Sequence, residues 1–211
     1  MQGRQRTARP ETTTLEAGTY QMKLVGANVS QGMPAPQYLK KGKTQEESAY
    51  AQMSLIWEDE EGAQVRDSFL KMPEYLEFSE DNRYKSKFQK RIENMLNKQL
   101  DDNAGEKITI LFDFIESWDE LKEAIKEVEN ERPVRIEVKS LQWEGREMFG
   151  AEWLVTVGVN DRGYNEITAV APLPKKRSAQ PAPAAQAPKP PARPAPAPAP
   201  APADDGADMP F

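Results

Sequence analysis

The sequence contains no cysteine and no histidine. Without cysteine there is no disulfide, no thiolate nucleophile and no cysteine-bound metal, and nothing calls for an oxidising compartment. Without histidine, the Ser-His-Asp and Cys-His nucleophile systems, zinc hydrolysis and imidazole acid/base work are excluded. Any catalysis would rest on carboxylates, lysines or hydroxyls, and the expectation is of no cofactor and no bound metal. A run of about 18 apolar residues, the minimum for a helical membrane span, is missing as well. The opening MQGRQRTARPETTT is basic but lacks the apolar stretch of a secretion signal. These absences lead to the expectation of a cytoplasmic protein with no membrane contact.

Branched aliphatic residues are scarce in one place only. After residue 178 there is no Leu, Ile, Val, Trp or Tyr, and eleven of the 18 prolines fall there. Such a stretch buries too little apolar surface to offset its ordering entropy. The rest of the chain, with all four Trp, is long enough for one core. The expected organisation is a flexible arm over 1–18, a folded domain over 19–174, a disordered Pro/Ala-rich linker over 175–203 and an acidic tip over 204–211.

Net positive charge is also lacking, at −6 overall. Removing the residues after 178 takes away Lys189 and Arg193 together with Asp204, Asp205 and Asp208, which leaves −5. Positive charge must therefore be local if the domain meets a polyanion. Clusters occur at Lys40, Lys41 and Lys43, at Lys85, Lys87, Lys90 and Arg91, and at Lys175, Lys176 and Arg177. Each is equally readable as an ordinary solvated face.

Several segments show the two-residue period of strands. TYQMKLVGANV places Tyr20, Met22 and Leu24 on one side; AYAQMSLIW alternates Ala51, Met53, Leu55 and Trp57 inward with Tyr50, Gln52 and Ser54 outward. A turn at Glu60-Glu61-Gly62-Ala63 leads to a second run that puts Phe69 and Lys71 opposite Leu70 and Met72, which reads as a hairpin. In NRYKSKFQKRIENMLNKQL, Tyr84, Phe88, Ile92 and Leu96 recur every four residues, predicting a helix with a basic outer face. Ser117-Trp118-Asp119-Glu120 is a capping box before LKEAIKEVENE, predicting a second helix. KITILFDFI between them fits either strand or helix. VRIEVKSLQW, AEWLVTVGV and YNEITAV return to the strand period. Three strands, a helical insertion and two or three more strands give a mainly β (α+β) chain. The layout matches a small OB-fold-like barrel with the insertion between strands 3 and 4; a β-sandwich with a helical excursion is the alternative.

A binder of single-stranded nucleic acid needs aromatic faces for bases and cations for the backbone. The candidate DNA-binding residues are Tyr38 with Lys40, Lys41 and Lys43, then Tyr50, Phe69 and Lys71 on the hairpin, and Trp143, Arg146 and Phe149 around a turn at Glu144-Gly145. Any one of these rings can equally serve to cover a helix. Trp57 and Trp153 keep phase with apolar neighbours and read as core.

The chain ends ADDGADMPF. This resembles the acidic tip of bacterial and phage single-stranded DNA-binding proteins, where a linker ends in aspartates, an apolar residue, Pro and Phe. Position by position, Asp204, Asp205, Asp208, Met209, Pro210 and Phe211 would form a partner-binding tip, with Gly206 and Ala207 splitting the aspartates. The body looks more like phage replication and recombination proteins with an OB-type core, through Gly18-Thr19-Tyr20, the Trp57 to Gly62 stretch and Gly163-Tyr164-Asn165. The resemblance implies a non-enzymatic protein that coats single-stranded DNA without sequence specificity and recruits replication, recombination or repair proteins, in the host cytoplasm if it is phage-encoded. Self-association into a homo-oligomer stays open. A terminal carboxylate and ring can be captured by a cationic, apolar pocket, and about 25 Pro/Ala residues reach on the order of 80 Å.

Two other classes compete. Glu137-Val138-Lys139 with Asp113 has the carboxylate/x/Lys form that Mg²⁺-dependent nucleases use, although strand alternation places Glu137 and Lys139 beside Arg135 on the solvent side, where a charge ladder is the simpler account. A scaffold or adaptor acting through the tail alone would need no outward aromatics.

Overall fold

The alternating segments form strands because each has one apolar face to bury. In the computed structural model, which describes residues 14–39, 41–129 and 132–174, the elements follow one another as β1 (Gly18–Gly32), β2 (Tyr50–Glu58), β3 (Gln64–Lys71), α1 (Lys87–Leu96), β4 (Ile108–Phe112), α2 (Trp118–Ala124), β5 (Val128–Glu129), β6 (Arg132–Pro133), β7 (Arg135–Trp143), β8 (Arg146–Glu147), β9 (Glu152–Val159) and β10 (Asn165–Pro172). Among the described residues no helix is long and apolar enough to cross a membrane.

β1 organises the sheet by pairing with three strands. Gly18–Lys23 lie against β9, Lys23–Gly32 against β2 and Ala27–Ser30 against β7, all antiparallel. A bulge between Leu24 and Gly26 lets one strand serve both directions, since an extra residue bends and twists a strand locally. The hydrogen-bonded order is β10-β9-β1-β2-β3, and β7 carries β4 and β8 at its other edge. β5 and β6 make a separate two-stranded hairpin.

β3 and β10 approach each other at the ends of this order, yet no ladder joins them. α1 fills the gap. Arg91 Nε lies 2.5 Å from Asp67 Oδ2 on β3, and Arg91 Nη2 donates to the Ile167 carbonyl on β10 at 3.0 Å. On the helix's inner face Phe88 and Ile92 are fully buried. Trp153 Nε1 donates to the Met95 carbonyl at 3.0 Å, and the Trp153 ring meets Trp57 edge to face at 5.6 Å. Aromatic pairs in this geometry stabilise beyond their buried area.

The inward sets expected on β2 and β3 are inward: Ala51, Met53, Leu55, Trp57, Leu70 and Met72 are all buried. Three expectations are corrected. The first concerns Tyr84, which is not part of the helix; the Ser86 hydroxyl accepts from Gln89 N–H at 3.0 Å and starts α1 after it. Such a cap satisfies one of the four orphan donors of a first turn. The second concerns the basic outer face, which is half as large as the sequence implies, because Lys85 turns inward to Glu93 at 2.7 Å and Arg91 to Asp67. The third concerns the second helix, which stops at Ala124 and gives way to the β5–β6 hairpin. KITILFDFI is resolved as a strand, β4, paired with β7.

Burial raises the Asp67 pKa above its usual value, and the Arg91 guanidinium opposes the rise. An acid with a raised folded pKa holds more protons folded than unfolded, so its contribution to stability falls as pH rises from the unfolded pKa through the folded one. Arg91→Met would leave Asp67 buried with no cation, a loss of about 3–5 kcal/mol near neutral pH. The expected outcome in urea unfolding is a deficit that narrows as pH is lowered and Asp67 takes up a proton. A deficit that does not change with pH would contradict this role.

Candidate nucleic-acid interface

The gap bridged by α1 opens outward into a cleft of about 840 Å³. β3 and α1 form two walls, and β10 with the turn before it forms the third. Five cations line it (Arg66, Lys87, Lys90, Arg91, Arg162) against two carboxylates, Asp67 and Glu166. Arg91 and Asp67 neutralise each other. Elsewhere several cations are paired, as in Lys23–Glu152, Arg83–Asp81, Lys122–Glu74 and Lys126–Glu123. Among the described residues Arg66, Lys87, Lys90 and Arg162 form no ion pair. Burial and the neighbouring Arg135 guanidinium push the Arg66 pKa below its ordinary value. Four cations facing only Glu166 as the remaining carboxylate of the cleft, in a chain of net −6, create a local site for an anion.

Two rings stand at this cleft. Phe69 is 69% exposed and Tyr164 68%. Phe69 sits where the β2–β3 register shifts between Met53 and Leu55, with φ of +64°. A side chain in that left-handed region costs about 1–2 kcal/mol, so the backbone is strained to turn an apolar ring towards solvent. Tyr164 ends the Asn160–Gly163 turn, in which Asn160 Oδ1 accepts from the N–H groups of Arg162 and Tyr164 at 3.0 and 3.1 Å. That turn presents Arg162 and Tyr164 together.

Other expected site residues lie in two further places. Tyr38, Lys43, Tyr50 and Lys71 line a second groove of about 590 Å³ between the β1–β2 loop and the end of β3. Glu47, Glu74 and Glu77 balance its lysines Lys43, Lys71 and Lys122. The loop is held by a reciprocal pair: Thr44 N–H donates to Glu47 Oε2 at 2.8 Å, and Glu47 N–H donates to the Thr44 hydroxyl at 3.2 Å. Lys71 Nζ lies 4.8 Å from the Tyr50 ring centre, a cation–π contact that orients the ring. Gly32 is required here, because a Cβ at that position would run into the Tyr50 ring. Lys41 is exposed, and Lys40 lies outside the described residues.

Trp143, Arg146 and Phe149 gather at the β7–β8 turn, where Glu144 and Gly145 both have positive φ. Trp143 and Phe149 are half-buried against the core, and Lys98 Nζ lies 5.6 Å from the Trp143 ring. Burial raises the Glu147 carboxyl pKa, but hydrogen bonds from Ser140 and three backbone N–H groups outweigh it and hold the pKa below its usual value. Asp204, Asp205, Asp208, Met209, Pro210 and Phe211 lie outside the described residues.

Lys139 lies 3.1 Å from Asp113 and 3.6 Å from Glu137, all exposed, which is the charge ladder expected for that motif. Among the described residues no cluster of three metal-ligating side chains occurs.

The structure thus brings Phe69 together with Lys87 and Lys90, and adds Arg66, Arg162 and Tyr164. Sequence reasoning did not select these last three as site residues. The signal for two of them was present, a Gly turn with an arginine and a tyrosine on either side of the glycine. Compared with protein-family models, curated proteins and solved structures, the chain matches none.

Gly32→Ala should displace Tyr50 and cost roughly 1–3 kcal/mol. If ring crowding is the cause, Gly32→Ala combined with Tyr50→Ala should lose less than the two single changes added together. Fully additive losses in urea unfolding would show that Gly32 serves something else.

Proposed function

We propose that this chain is a non-enzymatic single-stranded DNA-binding protein built on an OB-type barrel. The carrying observation is the cleft between β3, α1 and β10, where four unpaired cations flank two exposed rings in an acidic chain. The order β10-β9-β1-β2-β3, with outer strands in proximity and α1 between them in sequence, supports the barrel reading. On such a fold the outer face of β2 and β3, with the loops at its two ends, is where an oligonucleotide lies. Tyr50, Lys71, Arg66 and Phe69 are on those strands, and the two grooves lie at the loops. Phosphates would meet Arg66, Lys87, Lys90 and Arg162 while bases stack on Phe69 and Tyr164, an arrangement indifferent to sequence. We further propose that Asp204, Asp205, Asp208, Met209, Pro210 and Phe211 recruit replication, recombination or repair proteins.

The strained ring gives the sharpest test. Phe69→Gly relieves the left-handed backbone, so stability should hold or rise by up to about 1 kcal/mol, while affinity for oligo-dT should fall by roughly 1–3 kcal/mol. Unchanged affinity would remove Phe69 from the interface. Replacing Lys87 and Lys90 by Ala should lower the slope of log affinity against log salt by about 0.7 for each phosphate left without its cation; an unchanged slope would place the phosphates elsewhere. Deleting residues 204–211 should leave oligo-dT binding equal or tighter and abolish partner capture, and retained capture would refute the recruitment role.

A further inference from the structure

Away from the cationic cleft, one of the acidic stretches of the chain runs through α2. Between Asp113 and Glu129 there are seven carboxylates and two lysines, so this stretch carries a net −5. Both lysines are already paired, Lys122 with Glu74 and Lys126 with Glu123. An apolar groove of about 330 Å³ runs beside the segment, lined by Met72, Leu76, Ile110, Phe112, Ile115 and Trp118. Phe114, next to it, is completely exposed at φ of +64°, and Leu111 is 48% exposed.

The groove follows an open strand edge. β4 pairs with β7 on one side only, and no described strand lies along the other. The Leu141 N–H donates to Glu147 Oε1 and its carbonyl accepts from Met148 N–H, so the Ile110↔Leu141 pair is of the type that exchanges no ladder bonds. Ile110 therefore turns its own N–H and C=O towards the groove. An edge with free backbone groups is a template for another strand, and alternate side chains of an added strand would drop into an apolar trough.

We propose that this edge is a docking surface for an extended segment of another protein, one that alternates apolar residues with lysine or arginine. The apolar residues would enter the trough, the backbone would pair with Ile110, and the cations would meet the carboxylates of the Asp113–Glu129 segment. The same charge disfavours a second copy of this chain, which would bring its own −5 against this one. The trough shares no residue with the cleft between β3, α1 and β10, although Met72 and Trp118 also line the second groove, and the inference does not depend on the DNA reading.

The probe is a fluorescein-labelled peptide of five Lys-Val repeats, compared with one of five Lys-Ser repeats, titrated into the full chain. Binding of the Lys-Val peptide should be about tenfold tighter or more, and Phe114→Gly, at a fully exposed position, should weaken it by a similar factor. The Ile110 amide should gain protection from hydrogen exchange. Equal affinity for the two peptides, or no added protection at Ile110, would overturn the proposal. A concentration-dependent dimer in sedimentation that Phe114→Gly abolishes would also overturn it, by assigning the edge to a second copy.

Discussion

The architecture depends on the Arg91 guanidinium. It reaches from α1 to the Asp67 carboxylate on one side and to the Ile167 carbonyl on the other, and so closes by side chain what the backbone leaves open between β3 and β10. Isolated buried charges are costly, and a buried pair is tolerated only when geometry and extra hydrogen bonds compensate. Here the compensation is also topological. The pair holds the helix against both strands, and the helix then offers Lys87 and Lys90 to the cleft from its solvent face. A ladder in that place would have sealed the sheet and left no cleft.

Charge is distributed so that one net-acidic chain presents two opposite surfaces. Several carboxylates near lysines are held in pairs, while four cations without an ion pair among the described residues gather at the cleft. A surplus of carboxylates sits on the segment around α2. Local fields of this kind decide which polyelectrolyte approaches which face, whatever the net charge. Both surfaces also carry an exposed phenylalanine in the left-handed region, Phe69 and Phe114. Strain at positions that bury nothing is a recurrent mark of contact surfaces.

Much of the sheet was legible because its strands are amphipathic with period two. Ala51, Met53, Leu55 and Trp57 give the inward face of β2 directly, and Trp57 with Trp153 follows from phase alone. The spacing of Tyr84 to Phe88 continues the four-residue repeat and so draws Tyr84 into the helix pattern, while the cap that excludes it, Ser86, is a single local hydrogen bond. The inward turns of Lys85 and Arg91 depend on where Glu93 and Asp67 end up, and in the case of Asp67 the partner is on a different element. The outward face of Phe69 followed from alternation with Leu70 and Met72, but the bulge beneath it was not legible, since a phenylalanine carries no preference for positive φ. β4 was ambiguous because five apolar-rich residues are too few to fix a period. The tip was read by likeness of pattern, and nothing in the folded domain bears on it.

The three ladders of β1 have a consequence for biosynthesis. Gly18–Lys23, which leave the ribosome early, find their β9 partners only at Glu152–Val157, and Leu15 is tied to Asn165, 150 residues away. One side of the strand must therefore wait, unpaired, through most of translation. Contacts this distant make closure slow relative to local structure, so the nascent domain spends that interval as a β1–β2–β3 meander whose free border is shielded by nothing of its own.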